Sequence, residues 1–465
     1  MASLSGKMRF TRRCCCHVMF VLYCGFSFYA AYVFYIRGFR HKQSINPALN
    51  KNGDLLGAYT MKWRPGIQGQ LKKHEQEWNP WGEDSEMETL LPLSRAGLLT
   101  KQWKVTQAGV RSTPWRRVEI WGKAAIGLYL WEHVLGGDLS DVLAGGQWKE
   151  GSLIANDVLY SFYTGPAVVP RGLPVVDGTA VVLVANGREQ SKVTVAQEWL
   201  HSLSEQVRGG SVTKAALVLL GNERCENDWL RPFLRMHGGF VEPLFLVYDS
   251  QWPDEHTVFQ WPLGVATYRH FPLVKPEDLK LETPRRYICN FLGTVYPGSS
   301  REMMLNILSQ EGLSGMCFMH TRTQWQPMET AESLDLYQHA LQQSDLTLSP
   351  VGINTECYRI YEAAAYGSVP VVEDVMTPGY CGTNSDNSSN VSPIPLHLLK
   401  ASNAPFIFLT DWRELPKILR RELALSMREK VQRRVRLVRW YHDFLAHLRE
   451  DFTTIIREAF FHEPT

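Results

Sequence analysis

Continuous apolar runs that alternate with helical segments constrain the fold of this chain more than any other feature. Three such runs lie between residues 179 and 250, namely TAVVLVANG, AALVLLGNE and FVEPLFLVYDS, and turn residues end each of them. Apolar runs without alternation are typical of strands buried on both faces of a parallel sheet that helices cover. The segments 120–135 and 190–207 have the length and apolar spacing of helices. This part of the chain therefore predicts an α/β fold.

A second series of the same kind follows. Its strand-like segments are 286–296, 316–321, 345–350, 368–374 and 405–409, and helical patterns separate them. The Pro-rich, charged stretch 271–286 between the two series is typical of a linker. We predict two Rossmann-like domains, at 118–272 and 286–411, with a linker at 273–285 and C-terminal helices at 412–465. Two such domains that face each other across a cleft bind nucleotides at the carboxyl ends of their strands.

The N-terminal segment predicts a membrane anchor. Residues 14–36 contain no Asp, Glu, Lys or Arg. At about 1.5 Å per residue this run spans a bilayer core of about 30 Å, and it is too long and too aromatic for a cleaved signal peptide. We therefore predict a cytosolic tail at 1–13, a transmembrane signal-anchor at 14–36 and a stem at 37–117.

The orientation of this anchor stays open on charge alone, because basic residues flank it on both sides. Two Asn-x-Ser sequons, at Asn387 and Asn390, suit a lumenal body and predict glycosylation there. We therefore predict a single-pass type II protein of the secretory pathway.

Charge and cysteine content exclude several other classes of protein. The net charge of +2 gives no bulk electrostatic basis for nucleic-acid binding, so we expect no nucleic-acid partner. No cysteine pair or Cys/His cluster has the spacing of a structural zinc site. The five cysteines after residue 200 allow two disulfides and one free thiol, and the sequence leaves their pairing open.

The stretch 344–374 holds the most informative candidate site. A strand is followed by a loop and then by a helix, and the candidate residues there are Gly352, Asn354, Thr355, Arg359 and Glu362. We expect the helix to begin near Thr355, and a helix N-terminus favours a phosphate. Arg359 and Glu362 can share one helix face, where Arg suits a diphosphate and Glu can accept ribose hydroxyls. A buried βαβ unit with a surface Arg–Glu pair is the alternative.

Residues 291–304 repeat this form, with Gly293 and Thr294 at a strand end and Arg301 at the start of a helix. A second arginine that faces the same cleft would complete a cationic clamp for a diphosphate leaving group. The sequence therefore predicts one anion site built by two strand-to-helix connections.

These segments resemble known glycosyltransferases. FLGT…SR and SDLTLSPVGINTECYRIYEAAAYGSVPVV resemble the C-terminal half of exostosin-type enzymes. IWGKAAIGLYLWEH, SFYTGPAVVP, VVLVANGRE, LLGNE, FQWPLGVATYR and NTECYRIYEAAAYGSVPVVEDVMTPG are similar to the ribitol β-1,4-xylosyltransferase family. This likeness covers the anchor and the predicted body, whereas the stem carries it only in the island at 78–81.

The resemblance implies a GT-B-like, inverting enzyme of the Golgi membrane. It would transfer xylose from UDP-xylose to ribitol-5-phosphate on the O-mannosyl glycan of α-dystroglycan, in a β-1,4 linkage. It further implies an acceptor-side first domain, a nucleotide-sugar second domain, and fukutin and fukutin-related protein as candidate partners. No cofactor is firmly implied, and a divalent cation stays open although no Asp-x-Asp motif is present. The alternatives are a non-catalytic lumenal scaffold of a glycosylation complex and an exostosin-like transferase for another UDP-sugar.

The same resemblance gives roles to the candidate residues. Arg301 and Arg359 would hold the diphosphate, Glu362 the ribose, and the loop that begins at Gly352 would let the backbone approach the donor.

An inverting transfer also needs a general base near the acceptor hydroxyl. We predict that the base follows a strand of the first domain, where Asp249 and Glu223 are the candidates; Glu132 and His133 are further options. A capping or surface role is the alternative for each.

The C-terminal helices carry many basic residues, Arg433 and Arg436 among them. These basic residues either form a solvated face or bind the anionic acceptor. The core side of the helices would be formed by Leu423, Met427, Val431 and Val435.

Overall fold

The structure is a computed structural model. It describes residues 116–122, 124–141, 149–165, 177–326, 329–381 and 394–461. The predicted cytosolic tail and signal-anchor, nearly all of the predicted stem, and the sequons at Asn387 and Asn390 lie outside the described residues. No helix within the described ranges combines the length and the apolar character needed to cross a membrane.

The first sheet has eight strands in the order β2-β3-β4-β1-β5-β6-β7-β8. The strands are β1 Arg116–Gly122, β2 Ser140–Asp141, β3 Lys149–Ala155, β4 Val158–Thr164, β5 Thr179–Asn186, β6 Val212–Leu220, β7 Val241–Val247 and β8 Val258–Trp261. The six strands from β4 to β8 in this order are parallel, and β2 and β3 add an antiparallel edge. The predicted parallel α/β sheet is confirmed.

The second sheet has five parallel strands in the order β10-β9-β11-β12-β13. They are β9 Tyr287–Thr294, β10 Cys317–Arg322, β11 Ser344–Ser349, β12 Val369–Glu373 and β13 Ile407–Leu409. Every residue of β11 and β12 is buried, as expected for strands in the middle of a parallel sheet that helices cover.

Helices connect these strands and close the chain. They are α1 Ala125–Leu128, which continues as a π-helix over Tyr129–Val134, α2 Gln190–Gly209, α3 Ser300–Gln310, α4 Ala331–Gln342, α5 Tyr358–Ala365, α6 His397–Ala401, α7 Leu415–Ala424 and α8 Met427–Phe461. The helix expected over 120–135 is wrong in its first part, because Ile120 and Trp121 belong to a central strand paired on both sides. The helix expected to begin near Thr355 has Cys357 as its N-cap.

The expected core side of the C-terminal helices is also wrong. Leu423 is 49%, Met427 36% and Val435 37% exposed. The buried face of α8 is instead formed by Arg434, Leu437, Val438, Tyr441, Phe444, Leu445, Leu448, Phe452, Thr453, Ile456 and Phe460. An apolar pattern alone could not find this face, because it begins with a buried arginine that pairs with Asp345 at the start of β11. Arg433 pairs with buried Glu422 and so fixes α8 to α7, whereas the alternative that it binds the acceptor stays a prediction.

Two disulfides, Cys225–Cys381 and Cys289–Cys317, leave Cys357 as a free thiol. The expected count for the five later cysteines is confirmed, and the structure decides among the pairings. Cys289–Cys317 joins neighbouring strands of the second sheet. Cys225–Cys381 joins the loop after β6 to the segment after β12, so it links the two sheets covalently beside the carboxyl ends of their strands.

Candidate active site

A cavity of about 530 Å³ opens where the loops at the carboxyl ends of the two sheets meet. Its first-sheet wall includes Arg188 after β5 and Glu223 after β6, and its second-sheet wall includes the loops after β9, β10 and β11. Of the residues predicted from sequence, this cavity brings together Glu223, Gly293, Thr294, Arg301, Gly352, Asn354, Arg359 and Glu362. Carboxyl ends of parallel strands meet at one edge of a sheet, which explains why distant segments converge here.

Arg301 and Arg359 line this cavity as two partly buried cations. Arg301 Nη1 donates to the carbonyl of Thr294 at 2.7 Å, and Arg359 Nη2 donates to the carbonyl of Leu292 at 3.0 Å. Burial, and then the charge of Arg359, lower the pKa of Arg301 to about 10. Among the described residues no carboxylate forms an ion pair with either guanidinium, and the Nε atom of each has no hydrogen-bond partner. Two like charges without a counter-ion favour an anionic ligand.

Two glycines make room for these arginines. A Cβ at Gly352 would lie 2.8 Å from Arg301 Nη2, and a Cβ at Gly293 would lie 3.0 Å from Arg359 Nη2. The sequence predicted that the loop around Gly352 lets backbone approach the donor. The structure shows a further role for both glycines, because the guanidiniums of Arg301 and Arg359 each pass over a residue without a side chain.

Glu362 forms part of the cavity wall on α5 and is 5% exposed. Its carboxylate accepts hydrogen bonds from the backbone N–H of Ala266 at 3.0 Å and from the Tyr337 hydroxyl at 2.6 Å. Burial raises its pKa. A carboxylate offers more acceptor positions than these two donors occupy, so a ligand hydroxyl can still bind there.

Asn354 and Thr355 shape the loop before α5. Asn354 Nδ2 donates to the carbonyl of Glu223 at 2.8 Å and so connects the walls from the two sheets. Thr355 lies outside the wall; its hydroxyl donates to the carbonyl of Val375 at 2.7 Å, and its N–H donates to Thr377. Both side chains fix the path of the loop.

Glu223 stands beside Arg188 in the first-sheet wall. The guanidinium of Arg188 forms an ion pair with the Glu223 carboxylate, and the two side chains are 20% and 21% exposed. Burial alone would lower the pKa of Arg188, but Tyr248 and Glu223 raise it above its ordinary value, so this cation stays charged. The sequence predicted Glu223 but not Arg188, although both lie at the carboxyl ends of strand-like runs that it identified.

Asp249, the other predicted base, is not part of the wall. Its carboxylate accepts hydrogen bonds from Gln260 at 2.6 Å and from the backbone N–H groups of Leu396 and His397 at 2.5 and 3.1 Å. It therefore caps the start of α6, and this placement gives no support to its prediction as the base. Glu132 and His133 on the π-helix also lie outside the cavity lining.

Glu356 is a wall residue that the sequence analysis missed. Its Oε1 accepts hydrogen bonds from the Leu263 N–H at 2.7 Å and the Tyr361 hydroxyl at 2.5 Å. Burial raises its pKa to about 7. Its position directly before α5, in the motif that carries Arg359 and Glu362, is the signal that could have identified it.

An aromatic rim borders the second-sheet side. Trp325 is 49% and Tyr296 44% exposed, and both line the cavity. Arg269 lies over the Trp325 ring, 5.8 Å from its centroid. Arg269 and Arg322 both pair with Glu329, at 3.2 and 2.8 Å. This rim offers flat surfaces on which a planar group can stack.

The pKa of Glu356 makes stability depend on pH. Below its ordinary value of 4.5 the carboxyl is protonated in the folded and unfolded states, so its full contribution to stability is present. As pH rises toward about 7 the unfolded chain loses this proton first, so stability falls, by an amount on the order of 3 kcal/mol. We expect Glu356→Gln to remove most of this decline.

The measurement is urea unfolding of the full-length protein at pH 5 and pH 8. Glu311→Gln, at a carboxylate that is 43% exposed, is the matched control and should keep the decline of the wild type. An identical pH dependence in Glu356→Gln and the wild type would contradict the assignment.

No three His, Cys, Asp or Glu side chains in the described part of the chain come together in a way that could hold a metal ion. The divalent cation that the sequence left open stays a prediction.

Comparisons with known proteins give consistent matches. The family model described as RXYLT1 N-terminal domain matches residues 118–262, and the RXYLT1 C-terminal domain matches residues 268–461. "Ribitol-5-phosphate xylosyltransferase 1" of Danio rerio is 46% identical over 98% of this chain and 99% of its own length. The protein of the same name from Homo sapiens is 47% identical over 97% and 99%.

Solved structures give weaker likenesses. The catalytic domain of starch synthase IV from Arabidopsis thaliana, bound to ADP and acarbose, has a TM-score of 0.38 at 9% identity, over 74% of this chain and all of that one. The pneumococcal O-GlcNAc transferase GtfA, in complex with UDP and GlcNAc, has a TM-score of 0.28 at 11% identity, over 67% and 70%.

Proposed function

The chain belongs to the ribitol-5-phosphate xylosyltransferase family, and from this premise we propose that the protein transfers xylose from UDP-xylose to a ribitol-5-phosphate acceptor in the cavity between its two sheets. The relatives are named xylosyltransferases, so the protein is a glycosyltransferase, and the non-catalytic scaffold is not favoured. The GT-B arrangement, the β-1,4 linkage and the O-mannosyl glycan of α-dystroglycan are finer parts of the same proposal.

The pair of partly buried guanidiniums carries this proposal. Arg301 and Arg359 share one cavity without a carboxylate partner among the described residues, which is costly unless an anion occupies it. A nucleoside diphosphate supplies that anion. As the glycosidic bond of the donor breaks, negative charge develops on the departing UDP, and the two cations stabilise it more than they stabilise the intact donor.

The reaction is a single displacement with inversion. The acceptor hydroxyl oxygen forms a bond to the anomeric carbon of xylose while the bond from that carbon to the diphosphate oxygen breaks. The hydroxyl proton goes to a base, for which we propose Glu223, because it is the predicted candidate that lines the cavity. Glu362 is proposed to bind the ribose and Trp325 to stack on the uracil.

The compartment is part of the proposal. The run at 14–36 would anchor the protein in the Golgi membrane as a single-pass type II protein, with the body in the lumen where UDP-xylose and the glycan meet. Detection of residues 116–461 on the protected side of sealed Golgi vesicles in a protease digestion would support this orientation, and digestion without detergent would contradict it.

The test of the activity is transfer by the full-length protein in detergent. We expect xylose to pass from UDP-xylose to a ribitol-5-phosphate glycan. The absence of both transfer and UDP-xylose hydrolysis would favour a scaffold.

A donor panel in a thermal-shift experiment distinguishes the sugars. A ligand at about a hundred times its Kd stabilises the folded state by about 2.7 kcal/mol, so we expect UDP-xylose to raise the Tm by a few degrees. UDP-glucose and UDP-GlcNAc, which carry a hydroxymethyl group that xylose lacks, should raise it less at equal concentration. A larger shift with either of them would assign the protein to another donor.

A further inference from the structure

The acceptor requires both a base and a phosphate-binding group in one small region of the cavity. This inference rests on the proposed function. In ribitol-5-phosphate the phosphate is attached to the carbon next to the one that bears the acceptor hydroxyl of a 1,4 linkage. The base that takes the hydroxyl proton must therefore lie within a few ångströms of the group that binds the phosphate, so a carboxylate and a cation must be neighbours.

Among the described residues, the cavity wall contains five arginines, and four of them serve elsewhere. They are Arg188, Arg269, Arg301, Arg322 and Arg359. Arg301 and Arg359 are proposed to hold the donor diphosphate. Arg269 and Arg322 both pair with Glu329, beside the aromatic rim of the second sheet. Arg188 alone among these five is paired with a carboxylate that follows a first-sheet strand.

Arg188 and Glu223 are held in place by neighbouring loops. Arg188 is the second residue after β5 and Glu223 is the third residue after β6, and these parallel strands are paired. Asn222 Nδ2 donates to the carbonyl of Arg188 at 3.1 Å, and Asn186 Oδ1 accepts from the Arg188 N–H at 3.0 Å. The carbonyl of Glu223 accepts from Asn354 Nδ2, which fixes the pair relative to the donor-side loop.

We propose that Arg188 binds the acceptor phosphate and so presents the adjacent hydroxyl to the Glu223 carboxylate. A guanidinium has several N–H donors in one plane and can bind a phosphate while it stays beside a carboxylate. The phosphate also competes with Glu223 for the positive charge, which frees the carboxylate to accept the hydroxyl proton when the acceptor is in place.

The test compares two acceptors that differ only in the phosphate. Transfer to a ribitol-5-phosphate acceptor and to an unphosphorylated ribitol acceptor is measured with the full-length protein, and the ratio of the two kcat/KM values is the phosphate preference. Hydrogen bonds to a charged group contribute about 1.5 to 3 kcal/mol. We therefore expect Arg188→Gln to lower the phosphate preference by about ten- to hundred-fold, since every 1.4 kcal/mol is about tenfold.

Three further measurements make the result decisive. Arg188→Lys keeps a positive charge without the planar fork and should restore part of the preference. Arg269→Gln removes one positive charge from the same cavity and should leave the preference as in the wild type. A UDP thermal shift of wild-type size in Arg188→Gln shows that the variant is folded.

The possible failures are distinguishable. No transfer by the wild type to either acceptor would contradict the proposed function itself. Equal losses with both acceptors in Arg188→Gln would mean that Arg188 only positions Glu223, which overturns the phosphate assignment. Loss of the phosphate preference in Arg269→Gln, with an unchanged preference in Arg188→Gln, would also overturn the phosphate assignment. The phosphate would then bind at the aromatic rim.

Discussion

Replacement of Arg359 by Gln is expected to weaken UDP binding by about a hundredfold while the protein stays folded. The variant removes one of two partly buried cations that line the cavity of the proposed diphosphate, and a charge-assisted hydrogen bond of this kind contributes about 1.5 to 3 kcal/mol. Without ligand the same cation repels Arg301 and contributes to the lowered pKa of that residue. The Tm of the unliganded variant should therefore be close to that of the wild type.

Isothermal titration with UDP and thermal unfolding without ligand measure the two effects separately. Arg301→Gln should behave in the same way. Arg420→Gln is the matched control, because Arg420 is 64% exposed and pairs with Glu311 on the surface. Unchanged UDP affinity in both cavity variants would contradict a donor site at these arginines. A large fall in the Tm of the unliganded variants would mean that the two arginines are structural.

Glu223→Gln should lower the rate of transfer by about a hundred- to ten-thousandfold, which is the range for removal of a general base. Gln has nearly the same shape, and its amide oxygen can still accept a hydrogen bond from Arg188, so UDP binding and folding should change little. The measurement is single-turnover transfer at saturating UDP-xylose, together with UDP affinity.

Asp249→Asn is the informative companion to this variant. The sequence made Asp249 and Glu223 equal candidates, but Asp249 caps α6 outside the cavity. Its substitution should reduce stability and leave the transfer rate of the folded protein near that of the wild type. A large rate loss in Asp249→Asn and none in Glu223→Gln would reverse the assignment, and a loss confined to Glu356→Gln would make Glu356 the base.

The local sequence pattern was most informative for the secondary structure. The runs that became β5 and β6 are buried almost throughout, so their apolar character is a direct consequence of a central place in a parallel sheet. β11 is buried throughout as well, although polar residues alternate with its leucines. The helix 300–310, with Ser299 as its N-cap, follows from the same local rules. The pattern failed where a polar group is buried, as at Arg434 in α8.

The sequence predicted part of the candidate site. Gly293, Arg301, Gly352 and Arg359 occur in two strand-to-helix connections, and connections of this kind meet at one edge of a sheet. Glu356 and Arg188 were missed, because each gains its position from a partner far along the chain, Leu263 for Glu356 and Glu223 for Arg188.

The sequence alone identified the parallel α/β sheets, the two strand-to-helix connections that line the cavity and the family resemblance, since propensity, apolar period and motif spacing are properties of neighbouring residues. Only the tertiary structure decided which carboxylate of the first sheet reaches the cavity, which cysteines pair and which face of α8 is buried. Those outcomes depend on contacts between segments that are not neighbours in the chain, as between Glu223 and Asn354, and a local sequence pattern does not show which distant segments meet.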